Sequence, residues 1–260
     1  MAITPEQRIF NVLSSPGRDR DWTFASAVSA GVIAALPPPE AIDLRRDWWP
    51  VGDQGRSGSC VGWATADGPL RWHFSKAGRL AESEGLSVRQ VWMGAKELDE
   101  LRTPASYLEA FGTTIKSALD LARDFGVVPE SLLPIDSPRL YQGDPKAFYT
   151  TAAQRRIASY HNLGLAGPVW RSWLANSGPI VARLDCDAAW FKAAATGGRL
   201  SGYVRPDEPK GHAVAIVGYT PDHFIVRNSW GDTGWGDRGF GYADNAYAKA
   251  AFTEAYGVVL

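Results

Sequence analysis

The sequence predicts an α+β protein with its helices in the first half and its strands in the second. Residues 114–125 carry Ile115, Ala118, Leu119, Ala122 and Phe125 at helical spacing, with Gly126 as a stop. Residues 179–184, 212–219 and 224–227 are short runs rich in Val, Ile and Ala, separated by Gly, Pro, Asp and Asn turns. Helices followed by strands, without βαβ alternation, argue for two segregated halves and a cleft between them.

The elements follow in order. Residues 1–41 form a separate N-terminal segment. Thr4, Pro5 and Gln7 read as a capping box with proline at the first helical position, and Ile9, Val12 and Leu13 as a short apolar stripe. The apolar stretch 24–36 reads as a buried helix, too short to span a bilayer. Pro37, Pro38 and Pro39 end it as a stiff spacer. A helix starts at Cys60, and Gly68-Pro69 should end or kink it. Residues 87–101 are helical, with Val91, Met93, Ala95 and Leu98 free to pack. The expected division is 1–41, 42–160 (helical) and 161–260 (β-rich).

Composition excludes several classes of function. The net charge is −1 with no basic block, which argues against nucleic acid as a partner. Two cysteines, Cys60 and Cys186, make no disulfide framework, and four histidines without helical pairing make no metal site. No cofactor is expected. The N-terminus has no charged lead with an apolar core, so the expected location is cytoplasmic or reached by a signal-independent route. A monomer without a membrane span is expected.

The chemistry concentrates around Cys60. An isolated cysteine usually reads as a small buried hydrophobe. Here it stands where a glycine-rich turn, Asp53 to Ser59, meets a helix start, and free N–H groups at that end favour a thiolate. His212 opens a strand and supplies a base. Asn228 follows the next strand and can orient the imidazole. Cys186, flanked by Asp185 and Asp187, lacks a base near in sequence and reads as a packing or exposed thiol.

The segments Gln54-Gly55-x-x-Gly58-Ser59-Cys60, His212-Ala213-Val214 and Asn228-Ser229-Trp230-Gly231 resemble the papain-like cysteine peptidases. The steps of six residues from Gln54 to Cys60 and sixteen from His212 to Asn228 are shared with that family. The resemblance runs from about residue 42 to the C-terminus. It implies a helical left subdomain and an antiparallel, β-barrel-like right subdomain, with the site in the cleft between them. It also implies thiol-based peptide hydrolysis through a thioester. Cys60 would be the nucleophile, His212 the base and acid, and Asn228 the group that orients His212. Trp230 would shield that contact, and Gln54 would donate to the oxyanion beside the Cys60 N–H.

Gly58, Ser59, Lys210 and Gly211 would border the bound peptide. Arg183, in a strand wall, would bias a pocket toward acidic or polar side chains, unless it faces solvent. Residues 1–41 would be a propeptide-like or cleft-covering segment, making the chain a zymogen. Two departures stand out: Ser57 replaces the family's usual cysteine, and Val61 its usual tryptophan. The same triad serves thiol amidases, deamidases and transpeptidases, and the fold can persist as a cleft-blocked binding module. A Gly58-x-Cys60-x-Gly62 nucleophile elbow is disfavoured because no buried strand precedes it.

Overall fold

Capped helices and Val/Ile-rich strands form where the sequence pattern places most of them. The computed structural model describes residues 3–34, 36–99, 111–139 and 143–260. Thr4 N donates to Gln7 Oε1 at 3.1 Å and starts a single 3₁₀ turn, Pro5–Gln7. Beyond it the chain is extended, so Ile9, Val12 and Leu13 are not a helical stripe. Its backbone finds partners on remote walls, such as Leu13 N to Thr113 O at 3.0 Å, in place of an isolated helical turn.

Helix α1 (Phe24–Ser29) is capped by the Thr23 hydroxyl. It is shorter than the expected buried helix over 24–36. Gly31 takes φ +68°, and Val32 N returns to Ala27 O at 2.9 Å, a left-handed termination. Only Ala27 of this helix is buried, while Val32 and Leu36 are exposed.

The left half is built on α2 (Cys60–Thr65), α3 (Arg71–Lys76), α4 (Val88–Leu98) and α5 (Ile115–Asp124). Gly68-Pro69 does interrupt the first of these. A wide turn, Ala66–Leu70, with Gly68 at φ −92° and ψ −121°, absorbs the proline and continues into α3. Ser87 and Thr114 cap α4 and α5 through their hydroxyls. The described part of α4 ends at Leu98; residues 100 and 101 of the expected helix lie outside the described residues. Ile115, Ala118, Leu119 and Ala122 are buried as expected, but Phe125 is exposed. Helix α6 (Pro145–Ala153), capped by Asp144, completes this half.

Helices α2 and α4 pack at backbone distance through Gly62. A β-carbon there would lie 2.8 Å from the Val88 carbonyl oxygen. Gly62→Ala is therefore expected to destabilise the fold by about 1–3 kcal/mol, read as a lower urea midpoint at unchanged slope.

The right half is one open sheet. Its strands are β1 (Ile42–Asp43), β2 (Ser159–Asn162), β3 (Ile180–Cys186), β4 (Arg199–Leu200), β5 (Lys210–Tyr219), β6 (His223–Arg227), β7 (Phe240–Asp244) and β8 (Phe252–Val259). The order is β2-β8-β3-β5-β6-β7-β4, with β1 added to β5. Among the described strands, only β4 and β7 pair in parallel. Helices α7 (Gly167–Asn176), α8 (Ala188–Phe191) and α9 (Asn245–Ala251) cover its far side, where Trp170, Trp173 and Trp190 are fully buried.

The sheet's two faces divide cleanly. Ala182, Val214 and Ala255 join the far core, whereas Val181, Ala213 and Tyr256 join the core that contains Cys60. Asp67 ties the halves together, pairing with Arg71 at 2.9 Å and with Arg227 at 2.8 Å. No helix among the described residues is long and apolar enough to cross a membrane.

Candidate active site

The turn before Cys60 is built from short polar contacts. Gly55 takes φ +59°, and its N–H donates to Asp53 Oδ1 at 2.9 Å. Ser57 Oγ donates to Gln54 O at 2.6 Å and lies 2.5 Å from Ser59 Oγ. The serine thus braces locally a position where a cysteine would reach elsewhere. The turn is also joined to the right half, through Gln54 N to Ser229 O at 2.8 Å and Gly231 N to Gly52 O at 2.9 Å. Ser229 Oγ donates to Gln54 Oε1 at 2.7 Å, and Gln54 Nε2 donates to Ser57 O at 3.0 Å. This orients the amide and leaves it a second N–H to offer.

Cys60 is the first residue of α2 and is fully buried. Burial pushes its thiol up to about 11, against the lowering effect of backbone N–H groups, Ala213's first among them. His212, the chain neighbour of Ala213 on β5, is equally buried. His212 Nε2 lies 2.8 Å from Asn228 Oδ1, which also accepts from Ser229 N at 2.8 Å. The backbone N–H identifies the Asn228 oxygen, so Nε2 carries the proton and donates it. Nδ1, without a hydrogen-bond partner, keeps its lone pair. Burial pulls the imidazole down to about 4; the Asn228 contact opposes this and the Arg8 charge adds to it.

Aromatic rings box the imidazole. Trp230 lies 5.2 Å away between centroids, Trp190 5.5 Å and Phe10 5.7 Å. Trp230 and His212 were legible in the sequence, but Trp190 and Phe10 were not. Neither belongs to a recognisable motif.

The N-terminal segment runs through the cleft. Arg8 pairs with Asp53, donates to Gly55 O at 2.9 Å and stands over the Trp230 ring. Asn11 Oδ1 lies 4.0 Å from Cys60 Sγ. Glycines in both walls admit this path. A β-carbon on Gly112 would come within 1.5 Å of Asn11 O, and one on Gly211 within 2.6 Å of Val12 O. Val12 is buried, and Lys116 pairs with Asp21 at 2.5 Å further along.

The remaining predicted residues have clear positions. Gly58 and Ser59 are buried beneath the turn. Lys210 is exposed and lies over Phe10 and Phe191, and Gly211 meets Val12. Arg183 does not face solvent; its side chain is 11% exposed, pairs with Asp185 at 3.0 Å and donates to Thr253 Oγ1 at 2.6 Å. Cys186 is buried, its thiol pushed well up by burial. Among the described residues no His, Cys, Asp and Glu cluster has the makings of a metal site.

Comparison with known proteins gives a consistent result. The sequence model described as "Papain family cysteine protease" matches residues 38–255. Cathepsin J of Rattus norvegicus is 24% identical over 78% of the chain, and the chain spans 60% of that protein's length. The crystal structure of xylellain, a cysteine protease from Xylella fastidiosa, superposes with a TM-score of 0.78 at 21% identity, covering 97% of this chain and 96% of that one. A digestive procathepsin L2 proteinase from the Tenebrio molitor larval midgut gives a TM-score of 0.72 at 22% identity, covering 99% and 81%. At these identities the structural likeness is one of fold.

Proposed function

Because the chain belongs to the papain family of cysteine proteases, we propose that it hydrolyses peptide bonds by thiol chemistry at Cys60. The observation that carries this reading is the His212–Asn228 hydrogen bond beside the start of α2. It leaves Nδ1 as the ring nitrogen able to take a proton. The Cys60 thiol gives its proton to Nδ1, and sulfur attacks the substrate carbonyl carbon. The oxyanion is met by the Cys60 N–H and the spare Gln54 N–H. The imidazolium then protonates the leaving amine, and a thioester remains. Water, deprotonated by the same imidazole, attacks the thioester and returns the thiol. Trp230 and Trp190 keep water from the His212–Asn228 bond, where an amide oxygen stabilises the imidazolium without becoming charged itself.

In this reading the N-terminal segment is autoinhibitory. Phe10, Asn11 and Val12 occupy the ground a peptide needs, and both Cys60 and His212 are sealed from solvent. The segment also desolvates the pair. With the thiol near 11 and the imidazole near 4, the proton stays on sulfur.

The test is the mass of the products. A peptide mixture incubated with the chain, its segment loosened, should yield fragment pairs with new amino termini. Gln54→Ala should lower kcat by about 10²–10³-fold with little change in KM. Ammonia release without fragmentation would replace peptidase by amidase.

A further inference from the structure

The far side of the sheet holds a recess that the proposed peptidase chemistry does not use. It measures about 440 Å³ and lies between the start of α7, β6 and α9. Pockets for small ligands run from about 300 to 1,000 Å³. Its apolar lining comes from Leu165, Pro168, Trp170 and Phe224. Leu165 is 43% exposed and leaves aliphatic surface open at the rim. The floor is held in place. Trp170 Nε1 donates to Gly164 O at 2.9 Å, and its ring packs edge-on against Phe224 at 5.3 Å and Phe252 at 5.5 Å. A floor fixed in this way needs no ordering when a ligand arrives.

The charges at this recess are of one sign. Its lining includes Arg171 of α7 and Lys249 of α9 and no carboxylate. Arg171 is fixed by neutral oxygens. It donates to Thr220 O, to Pro221 O at 3.2 Å and to Asn245 Oδ1 at 2.8 Å, and its Cζ stands 4.8 Å from the Tyr219 ring centre and 4.9 Å from that of Phe224. A guanidinium carries five N–H groups, so these contacts leave it donors to offer. Asp222, on the turn that Arg171 grips, forms no ion pair with it among the described residues. Asp244 is committed to capping α9, where it accepts from Tyr247 N at 2.6 Å. Lys249 is exposed on the last turn of α9 and pairs with no carboxylate among the described residues. A preorganised guanidinium of unmatched charge, beside a second cation and an apolar floor, is complementary to a carboxylate carried on an apolar body.

We propose that this recess binds a small carboxylic acid with an aromatic or aliphatic body. The carboxylate meets Arg171 and Lys249, and the body lies against Leu165 and Phe224. Helices α7 and α9 cover the sheet's far side, and Trp170, Phe224 and Ala248 pack in a core that does not include Cys60. Binding there needs neither the thiol nor release of the N-terminal segment, and it does not depend on the peptidase reading.

The experiment is calorimetric titration of the full chain with phenylbutyrate, beside its uncharged amide and beside acetate, which lacks the apolar body. Phenylbutyrate should bind at least tenfold more tightly than either. Lys249→Gln should weaken it severalfold, and Arg171→Lys, which keeps the charge but not the fork, should do the same, with folding followed by thermal melting. Leu165→Glu, which sets a like charge at the rim, should abolish binding in the millimolar range. Lys249 and Leu165 are exposed, so those two variants keep the fold. The chain with Phe10→Ala and Val12→Ala should bind as the unaltered chain does. No binding at millimolar phenylbutyrate, equal affinity for acid and amide, or an affinity unmoved by the three recess variants overturns the site. Binding that appears only once the segment is loosened, or that is lost on alkylation of Cys60, places the acid in the cleft and overturns it as well.

Discussion

Cys60→Ala is expected to reduce peptide hydrolysis by about 10⁴–10⁶-fold, to the level that binding and oxyanion contacts alone sustain. The size of the effect follows from the site. In the proposed chemistry sulfur is the atom that forms the thioester, and neither Ser59 nor Ser57 can stand in. Ser59 is wholly buried, and both hydroxyls are turned to each other at 2.5 Å. Stability should change little, because losing one small buried group costs on the order of 1 kcal/mol. His212→Ala should fall as far, and the double variant should be no worse than either single one, since the two residues act as a unit. Cys186→Ala should retain activity, because that buried thiol takes no part in the proposed chemistry. The measurements are kcat on a fluorogenic peptide and labelling by a thiol-directed epoxide. A Cys60→Ala chain that keeps more than a tenth of the activity would rule out this nucleophile.

Loosening the N-terminal segment should have the second largest effect, in the opposite direction. Phe10 packs edge-on against Phe191, His212 and Trp230, and Val12 is 3% exposed. Burying an aliphatic or aromatic side chain contributes about 1.5–3 kcal/mol, so removing both weakens closure by roughly 3–6 kcal/mol. Phe10→Ala with Val12→Ala should therefore raise hydrolysis by about 10²-fold or more, at one decade per 1.4 kcal/mol.

The pH profile should move as well. In the closed chain burial holds the thiol near 11, so alkylation of Cys60 is slow at neutral pH and rises as pH rises toward that value. Opening removes desolvation from both partners, lowering the thiol's pKa and raising the imidazole's. Alkylation at neutral and mildly acidic pH should then accelerate. Equal rates and identical profiles for the two chains would show that the segment does not control access.

The parts of this protein readable from sequence are those whose causes lie within a few residues. Ser87 and Thr114 announce their helices because the capping hydroxyl and the N–H it accepts from are three residues apart. The turn from Asp53 to Cys60 is legible because its glycines and serines bond one another. His212 and Asn228 are legible as a pair because strands β5 and β6 form one hairpin, which sets their separation. Fold class, the candidate nucleophile and its partners all rest on such local causes.

What surrounds the site depends on contacts distant in sequence. Residues 8–15 lack a helix because the cleft walls, Thr113 and Glu254 among them, satisfy their backbone; the Ser15–Glu254 contact spans 239 positions. Trp190 reaches His212 only because β3 and α8 deliver it there. Arg183 reads as a strand arginine until Asp185 and Thr253 are seen to hold it, and Glu254 as a strand glutamate until its buried oxygen is seen without a donor. The sequence thus specified the candidate chemistry, because a thiol, an imidazole and two amides are recognisable by type and spacing. Tertiary structure decided what covers that chemistry and how the buried charges around it are paired, because an extended segment or a buried ion obtains its partners across the fold and leaves no local pattern.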